Sequence, residues 1–403
     1  MHHLLRSSIR HASQVKTMTD VRNYLKTLLK TAHDFKKFPL SSTQITPVPT
    51  NLSKNSVKIS ISDPKFQLQY LNPDGKNHVR IGKLLEDLDL FAGVIAYEHN
   101  NSMRSIDNTH PLGIVTACID RIEIHEPNIP IDQGDLIMSG QVTWTGRSSM
   151  EIYMKIMDEK SEINFIDSYF VMVARNTETN LAEQVNSLKL ETSQDHEKFE
   201  IGANNNKNRK EAKRFGLLSH APKKDETVEI HNKFVNTLDS EVSFSSSARK
   251  LQTNQIWMDE AKLKSVLVAM PQHRNVHGKL FGGHIIRKAF ELSFANIKIS
   301  AAGPIPVKCI AIDDISFIHP VKIGSIFLLS SQVVYSKKCK AVIRVYASVT
   351  DPLKQETKMT NTFYCIFESQ DQSKMPEVVP KTYGESLLYI DGKRIYDRHF
   401  ENY

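Results

Sequence analysis

Cysteine is scarce: Cys118, Cys309, Cys339 and Cys365 are the only four in 403 residues, and none stands in CxxC or another metal-ligand spacing. That indicates neither a disulfide framework nor a zinc site and fits a reducing compartment. Long apolar runs are missing too. None reaches the roughly 18 residues that a membrane-crossing helix needs, so stable membrane insertion is not expected. No phosphate loop of GxGxxG or GxxxxGKS/T form and no GxSxG nucleophile elbow is present, which argues against dinucleotide dehydrogenases, kinases and α/β-hydrolases. Charge of one sign is not concentrated either. The net charge of +7 comes from 52 basic and 45 acidic residues interleaved along the chain, so no nucleic-acid partner is expected.

What is there suits a soluble globular protein: 40% hydrophobic and 24% charged residues, with a mean hydropathy of -0.35. A chain of 403 residues exceeds the roughly 250–300 at which single cores stop growing, so at least two domains are expected. The opening MHHLLRSSIRHASQVKTMT holds Arg6, Arg10 and Lys16 and no acid before Asp20. Wound as a helix it places Leu4, Leu5 and Ile9 beside a basic stripe, the makeup of a mitochondrial presequence over residues 1–20 and hence of a matrix protein. The alternative is an ordinary frayed terminus.

Residues 20–60 are polar and broken by Pro39, Pro47 and Pro49, which reads as a helix and an extended lead-in. From Val79 the segment VRIGKLLEDLDLFAGVIAYEH spaces Leu84, Leu85, Leu88, Phe91, Ala92 and Ile95 as one long, largely buried helix. The segments GIVTACIDRIEI, DLIMSGQVTWTG, SMEIYMKIMD and NFIDSYFVMVAR follow with the character of antiparallel strands. After a polar stretch centred on NNNKNRKEAKR, the same order recurs: the helix KLFGGHIIRKAFELSFANI, then VKCIAIDDISFI, SIFLLSSQVVYS, AVIRVYASVT and MTNTFYCIFES. Cys118-Ile-Asp120-Arg-Ile122 matches Ala311-Ile-Asp313-Asp-Ile315 at an offset of 193, and Ser139-Gly-Gln-Val142 matches Ser330-Ser-Gln-Val333 at 191.

A repeat of one helix and about four strands is a duplicated α+β domain, since solenoid repeats run only roughly 20–50 residues. A long helix laid across an antiparallel sheet is the hotdog arrangement. A tandem pair is expected to join edge to edge as one continuous sheet, because open edges invite pairing. The expected organisation is a presequence at 1–20, an N-terminal domain at 60–178, a helical and polar linker at 179–250, a C-terminal domain at 251–372 and a tail at 373–403.

The sharpest local signal is Asn275-Val-His-Gly278-Lys-Leu-Phe-Gly282-Gly283, a glycine-punctuated loop entering the second long helix. Glycine lets backbone approach a ligand closely, and the first helical turn offers free N–H groups at a positive dipole end, which suits a developing oxyanion. Tight packing of the helix on its sheet would demand the same glycines.

NVHGKLFGG, the following helix and VKCIAIDDISF resemble the hotdog acyl-CoA thioesterases. More narrowly, VRIGKLLEDLD, PLGIVTACIDRIEI, QVTWTGRSSMEI and PKTYGESLLYIDGKR resemble the mitochondrial double-hotdog acyl-CoA thioesterases of animals, a likeness running from about Arg80 to about Arg394. The resemblance implies hydrolysis of fatty acyl-CoA with no cofactor beyond water, and a homo-oligomer. It also implies a site shared by two hotdog units, with an Asn or Gln from one and a helix acid from the other.

Superposing the helices at Gly82 and Gly283 places Asp89 opposite Phe290 and Asn275 opposite Asp74, so a single intact pair is Asp89 with Asn275. Asn275 and the N–H groups of Gly282 and Gly283 would polarise the thioester carbonyl, and Asp89 would deprotonate water or attack directly. Glu291, next to Phe290, leaves a second site open. Arg147, Ser148 and Ser149 at one strand turn, and Lys337, Lys338 and Lys340 at its repeat mate, are the candidates for CoA phosphates. A hydratase working through His277 or His284, and an acyl-CoA binding protein without catalysis, are the rival readings.

Overall fold

The computed structural model describes residues 17–25, 47–72, 76–101, 112–132, 134–176, 179, 181–214, 216–217, 219–238, 249–275, 277–300, 305–351 and 356–401. Residues 1–16 and Asp74 lie outside the described residues. The chain divides into two compact units. The first runs to Lys207 and also takes in Ala269–Lys288 and Ser316–Gly324; the second comprises Asn208–Val268, Ala289–Ile315 and Ser325–Tyr403.

In the first unit the strands β2 (Asn55–Ile59), β3 (Leu112–Ile124), β4 (Leu136–Thr145), β5 (Ser149–Asp158) and β6 (Asn164–Asn176) form an antiparallel sheet in the order β2-β4-β5-β6-β3. The short β1 (Val48–Pro49) lies outside it, paired with β7 (Leu188–Lys189). Three helices complete the N-terminal part: α1 (residues 18–25), α2 (Pro64–Tyr70) and α3 (Ile81–Asn101). Helix α3 lies across β3 to β6. Its Leu84, Leu85, Leu88, Phe91 and Ile95 are fully buried, each contributing about 1.5–3 kcal/mol of apolar transfer. The apolar spacing of the sequence therefore marks a helix that sheet and loops enclose.

A helix is expected from about residue 20; α1 already spans 18–25, and its Met18, Val21 and Leu25, at i, i+3 and i+7, are buried. Arg22 on the same helix pairs with Asp87 of α3 at 3.0 Å. Asp87 is fully buried and also takes Lys83 at 2.6 Å and the Tyr70 hydroxyl at 2.5 Å. The polar stretch after β6 is not a bare connector. In α4 (Ser193–Arg214), Asn205 donates to the buried Glu151 at 3.2 Å, and a Cβ on Gly202 would fall 2.4 Å from the Trp144 side chain.

The second unit repeats the plan with β9 (Lys262–Val268), β10 (Val307–Phe317), β11 (Ile326–Lys337), β12 (Lys340–Asp351) and β13 (Glu356–Ser369), in the order β10-β13-β12-β11-β9. A parallel pair, β8 (Gln255–Trp257) with β14 (Glu377–Val379), stands outside that sheet. Each sheet thus has five strands where about four were expected; the additions are β2 and β9.

The second long helix, α6 (Gly282–Ser300), is anchored in this unit by Phe290 and Phe294 against Phe367 and by Asn296 donating to Ser331 at 3.0 Å. The segment expected as a tail forms a helix, α7 (Tyr383–Phe400), opened by a Thr382–Glu385 capping box and packed on β11, β12 and β13. Arg394 binds Glu226 of α5 (Lys224–Val235) through two bonds of 2.7 and 2.8 Å. Each half is a long helix across a five-stranded antiparallel sheet, so the chain is an α+β tandem hotdog protein. No helix among the described residues is long and apolar enough to cross a membrane.

Candidate active site

The site is built where the start of α6 meets α3. The glycine loop belongs by sequence to the second repeat, yet it sits in the same compact unit as Asp89. A Cβ on Gly283 would stand 2.8 Å from the backbone oxygen of Glu86, and one on Gly282 would stand 3.0 Å from Asp89 Oδ2. The packing reading of these glycines is thus met: they let two helices touch, and the point of contact is the candidate catalytic acid. Gly278, with φ +69°, turns the loop in a conformation that side chains rarely adopt.

Asp89 is 4% exposed. Its Oδ1 accepts the Thr116 hydroxyl of β3 at 2.6 Å, and its carboxylate accepts the Gly283 N–H. Burial pushes the Asp89 carboxyl up to about 6, against the opposing pull of these two donors; nearby Glu86 adds to the rise. The expectation that the N–H groups of Gly282 and Gly283 both face a substrate carbonyl is thus corrected for Gly283. Its N–H, at the positive end of α6, orients the acid instead.

Asn275 holds its own loop: its Oδ1 accepts the N–H groups of His277 at 2.9 Å and Lys279 at 3.0 Å. The oxygen is committed, so the amide NH2 is the part that can donate to a ligand. Asp89, Asn275 and Gly282 all line one open cavity of about 1980 Å³. That exceeds the roughly 300–1,000 Å³ of an ordinary small-molecule site and leaves room for a long ligand.

The expected phosphate-binding residues are not brought to this cavity. Arg147, Ser148 and Ser149 close the β4–β5 hairpin, where their carbonyls accept the N–H groups of Val185, Ala174 and Gly146 at 2.9, 2.9 and 2.8 Å. They are not among the cavity-lining residues. In the second unit Lys337 pairs with Glu401, Lys338 occupies a turn at φ 56°, and Lys340 pairs with Glu368 at 2.6 Å. Among the described residues, the Lys and Arg side chains that do line the cavity are Arg22, Lys83, Arg175, Arg274, Lys279 and Arg287. Lys83 and Arg287 reach Glu86 at 3.2 and 2.8 Å. Scattered singly along the chain, these six carry no sequence signature, and Thr116 reads in isolation as an ordinary strand residue.

His284 stacks on His273 with ring centroids 3.9 Å apart. Burial, then His273, Arg287 and Lys288, push its imidazole down to about 3. So weak a base is poorly suited to the proton abstraction that a hydratase requires. His277 is lowered by burial, and its Nε2 lies 3.4 Å from the Ile114 carbonyl. In the second unit Phe290 is buried against Phe367, with Glu291 partly exposed beside it.

No protein-family model matches the sequence. The chain is 38% identical over 346 residues to acyl-coenzyme A thioesterase 9, mitochondrial, of Bos taurus, covering 85% of this chain and 75% of that protein. It is 36% identical over 402 residues to the Homo sapiens protein of the same name, covering 97% and 87%. Among solved structures, a putative oleoyl thioesterase from Lactobacillus plantarum is 10% identical with a TM-score of 0.45, over 79% of this chain and 97% of that one. On the extent of its identity to these relatives, the chain belongs to the acyl-coenzyme A thioesterase family.

Proposed function

We propose that the protein hydrolyses fatty acyl-CoA to free fatty acid and CoA, with Asp89 as general base and the Asn275 amide as carbonyl donor. The observation that carries this reading is the buried Asp89 carboxylate, clasped by Thr116 and Gly283 in a cavity that Asn275 also lines. Asp89 takes a proton from water while the water oxygen bonds to the thioester carbon. Negative charge develops on the carbonyl oxygen, where the Asn275 NH2 and the first turn of α6 at Gly282 stabilise it; one such donor is worth about 100 to 1000-fold in turnover. The tetrahedral intermediate collapses, the C–S bond breaks, and the CoA thiolate recovers the proton held by Asp89. A carboxylate near 6 is mostly ionised at neutral pH yet basic enough to accept that proton.

The cavity cations Lys279 and Arg274 offer the charge that CoA phosphates require. The relatives' mitochondrial names and the basic opening residues support residence in the mitochondrial matrix. The domain boundaries expected from the repeat, and assembly into a homo-oligomer, belong to the same reading. The test is release of free CoA thiol from acyl-CoAs by the purified protein, alongside hydration of enoyl-CoA. Thiol release without hydration supports the hydrolase; hydration, or binding without turnover, sinks it.

A further inference from the structure

Over residues 81–100 helix α3 is buried at every position except Glu86, Leu90, Gly93 and Tyr97, which all line the cavity. Spacings of four, three and four residues put them in one narrow stripe. Asp89 lies beside its charged end, and from there to Tyr97 the stripe covers about 12 Å of helix axis. At residues 98–100 the helix is buried again.

Among the described residues nothing packs closely enough on Gly93 to require glycine. Of those residues a Cβ there would meet only Leu25 Cδ2, at 3.9 Å, an ordinary contact, whereas one on Gly283 would strike backbone at 2.8 Å. Glycine inside a helix is costly relative to alanine, so its presence calls for another cause, and an open channel is one. Leu25 also lines the cavity, on the short helix that the Arg22–Asp87 pair holds against α3. Tyr97 takes the Ile114 N–H on its hydroxyl at 3.2 Å, which fixes the ring at the far end of the stripe.

We infer that the acyl chain leaves the reacting carbonyl along this stripe, with Gly93 and Leu25 setting the width of the channel and Tyr97 its end. These residues determine chain-length specificity; the inference rests on the acyl-CoA hydrolase reading.

The test compares kcat/KM for thiol release across straight-chain acyl-CoAs from acetyl to palmitoyl, in wild type, Gly93→Ala, Gly93→Leu and Tyr97→Ala. Each methylene denied burial costs about a factor of four. Gly93→Leu is therefore expected to lower the long-to-short ratio by about tenfold or more, and Tyr97→Ala to move the optimum to longer chains. Gly93→Ala should lower the ratio in the same direction while raising the thermal midpoint by about 1–3 °C, an opposition that a purely structural role does not produce. Should Gly93→Leu not fold, Leu25→Phe narrows the same channel from the other side. If all variants hydrolyse with the wild-type chain-length profile, the inference is overturned and the hydrolase reading stands. If the wild type releases no thiol from any acyl-CoA, both fall.

Discussion

Thr116 on strand β3 donates its hydroxyl to Asp89 on helix α3 at 2.6 Å. With the Gly283 N–H, it supplies one of the two bonds that favour the ionised acid against a burial that opposes it. The rate should therefore rise with pH along a limb centred near 6. Thr116→Val removes a donor to the charged form and is expected to move that limb upward by about one to two pH units, a bond to a charged group being worth about 1.5–3 kcal/mol. A pH profile of kcat/KM checks it; a limb that stays in place would show that Asp89 is not the titrating base.

The same carboxyl weakens the fold. Its folded value, about 6, lies above the ordinary 3.8, so the folded protein holds this proton more tightly than the unfolded chain does. The stabilisation is complete below about pH 4 and lost as pH rises through about 6, leaving a cost on the order of 3 kcal/mol at neutral pH. Asp89→Asn is expected to raise the thermal midpoint at pH 7.5 and to lose that advantage at pH 4. A midpoint unchanged at pH 7.5 would count against burial as the cause.

Where α6 touches α3 there is no space for a side chain. Gly283→Ala places a methyl 2.8 Å from the Glu86 carbonyl oxygen, which belongs to backbone and cannot swing aside. A loss of about 1–3 kcal/mol in urea unfolding is expected, with reduced turnover as the Gly283 N–H is pulled off Asp89. Wild-type stability in this variant would mean that the helices can part freely.

Asp87 has both oxygens occupied, by Arg22, Lys83 and Tyr70, with no exposure of its side chain. Removing one partner of a buried pair costs about 3–5 kcal/mol. Asp87→Ala should lose stability in that range by chemical denaturation, while Lys58→Ala, whose side chain is 37% exposed beside Glu159, should lose less than about 1 kcal/mol.

Much of this was readable beforehand, and the failures have physical reasons. The apolar spacing in α3 and α6 and the long strand segments survive because both kinds of element bury a regular face. Strand β9 alternates only between exposed and half-buried positions and β2 is five residues long, so neither shows a clean core face. A helix opening the 20–60 stretch is expected from the sequence, but its buried stripe is not, because Met18 stands inside the segment read as a leader and the stretch after it is polar. The family resemblance implies an Asn from one repeat and a helix acid from the other, and the offset between the repeats then points to Asn275 and Asp89. Thr116 and the cavity cations depend on approaches between segments far apart in sequence, from Arg22 to Arg287, which no local pattern records. The hairpin lysines carry the charge that phosphate binding requires, but Lys337 and Lys340 direct it to Glu401 and Glu368.

The central claim is that Asp89 and Asn275 act on one bound thioester. It is tested most directly by thiol-release kcat/KM for Asp89→Asn, Asn275→Ala and the double variant, with folding verified for each. Losses of about 100-fold or more in each single variant, and a double variant well short of the product of the two, are expected for residues acting as a unit. Wild-type turnover in either single variant, or losses that simply multiply, would contradict it.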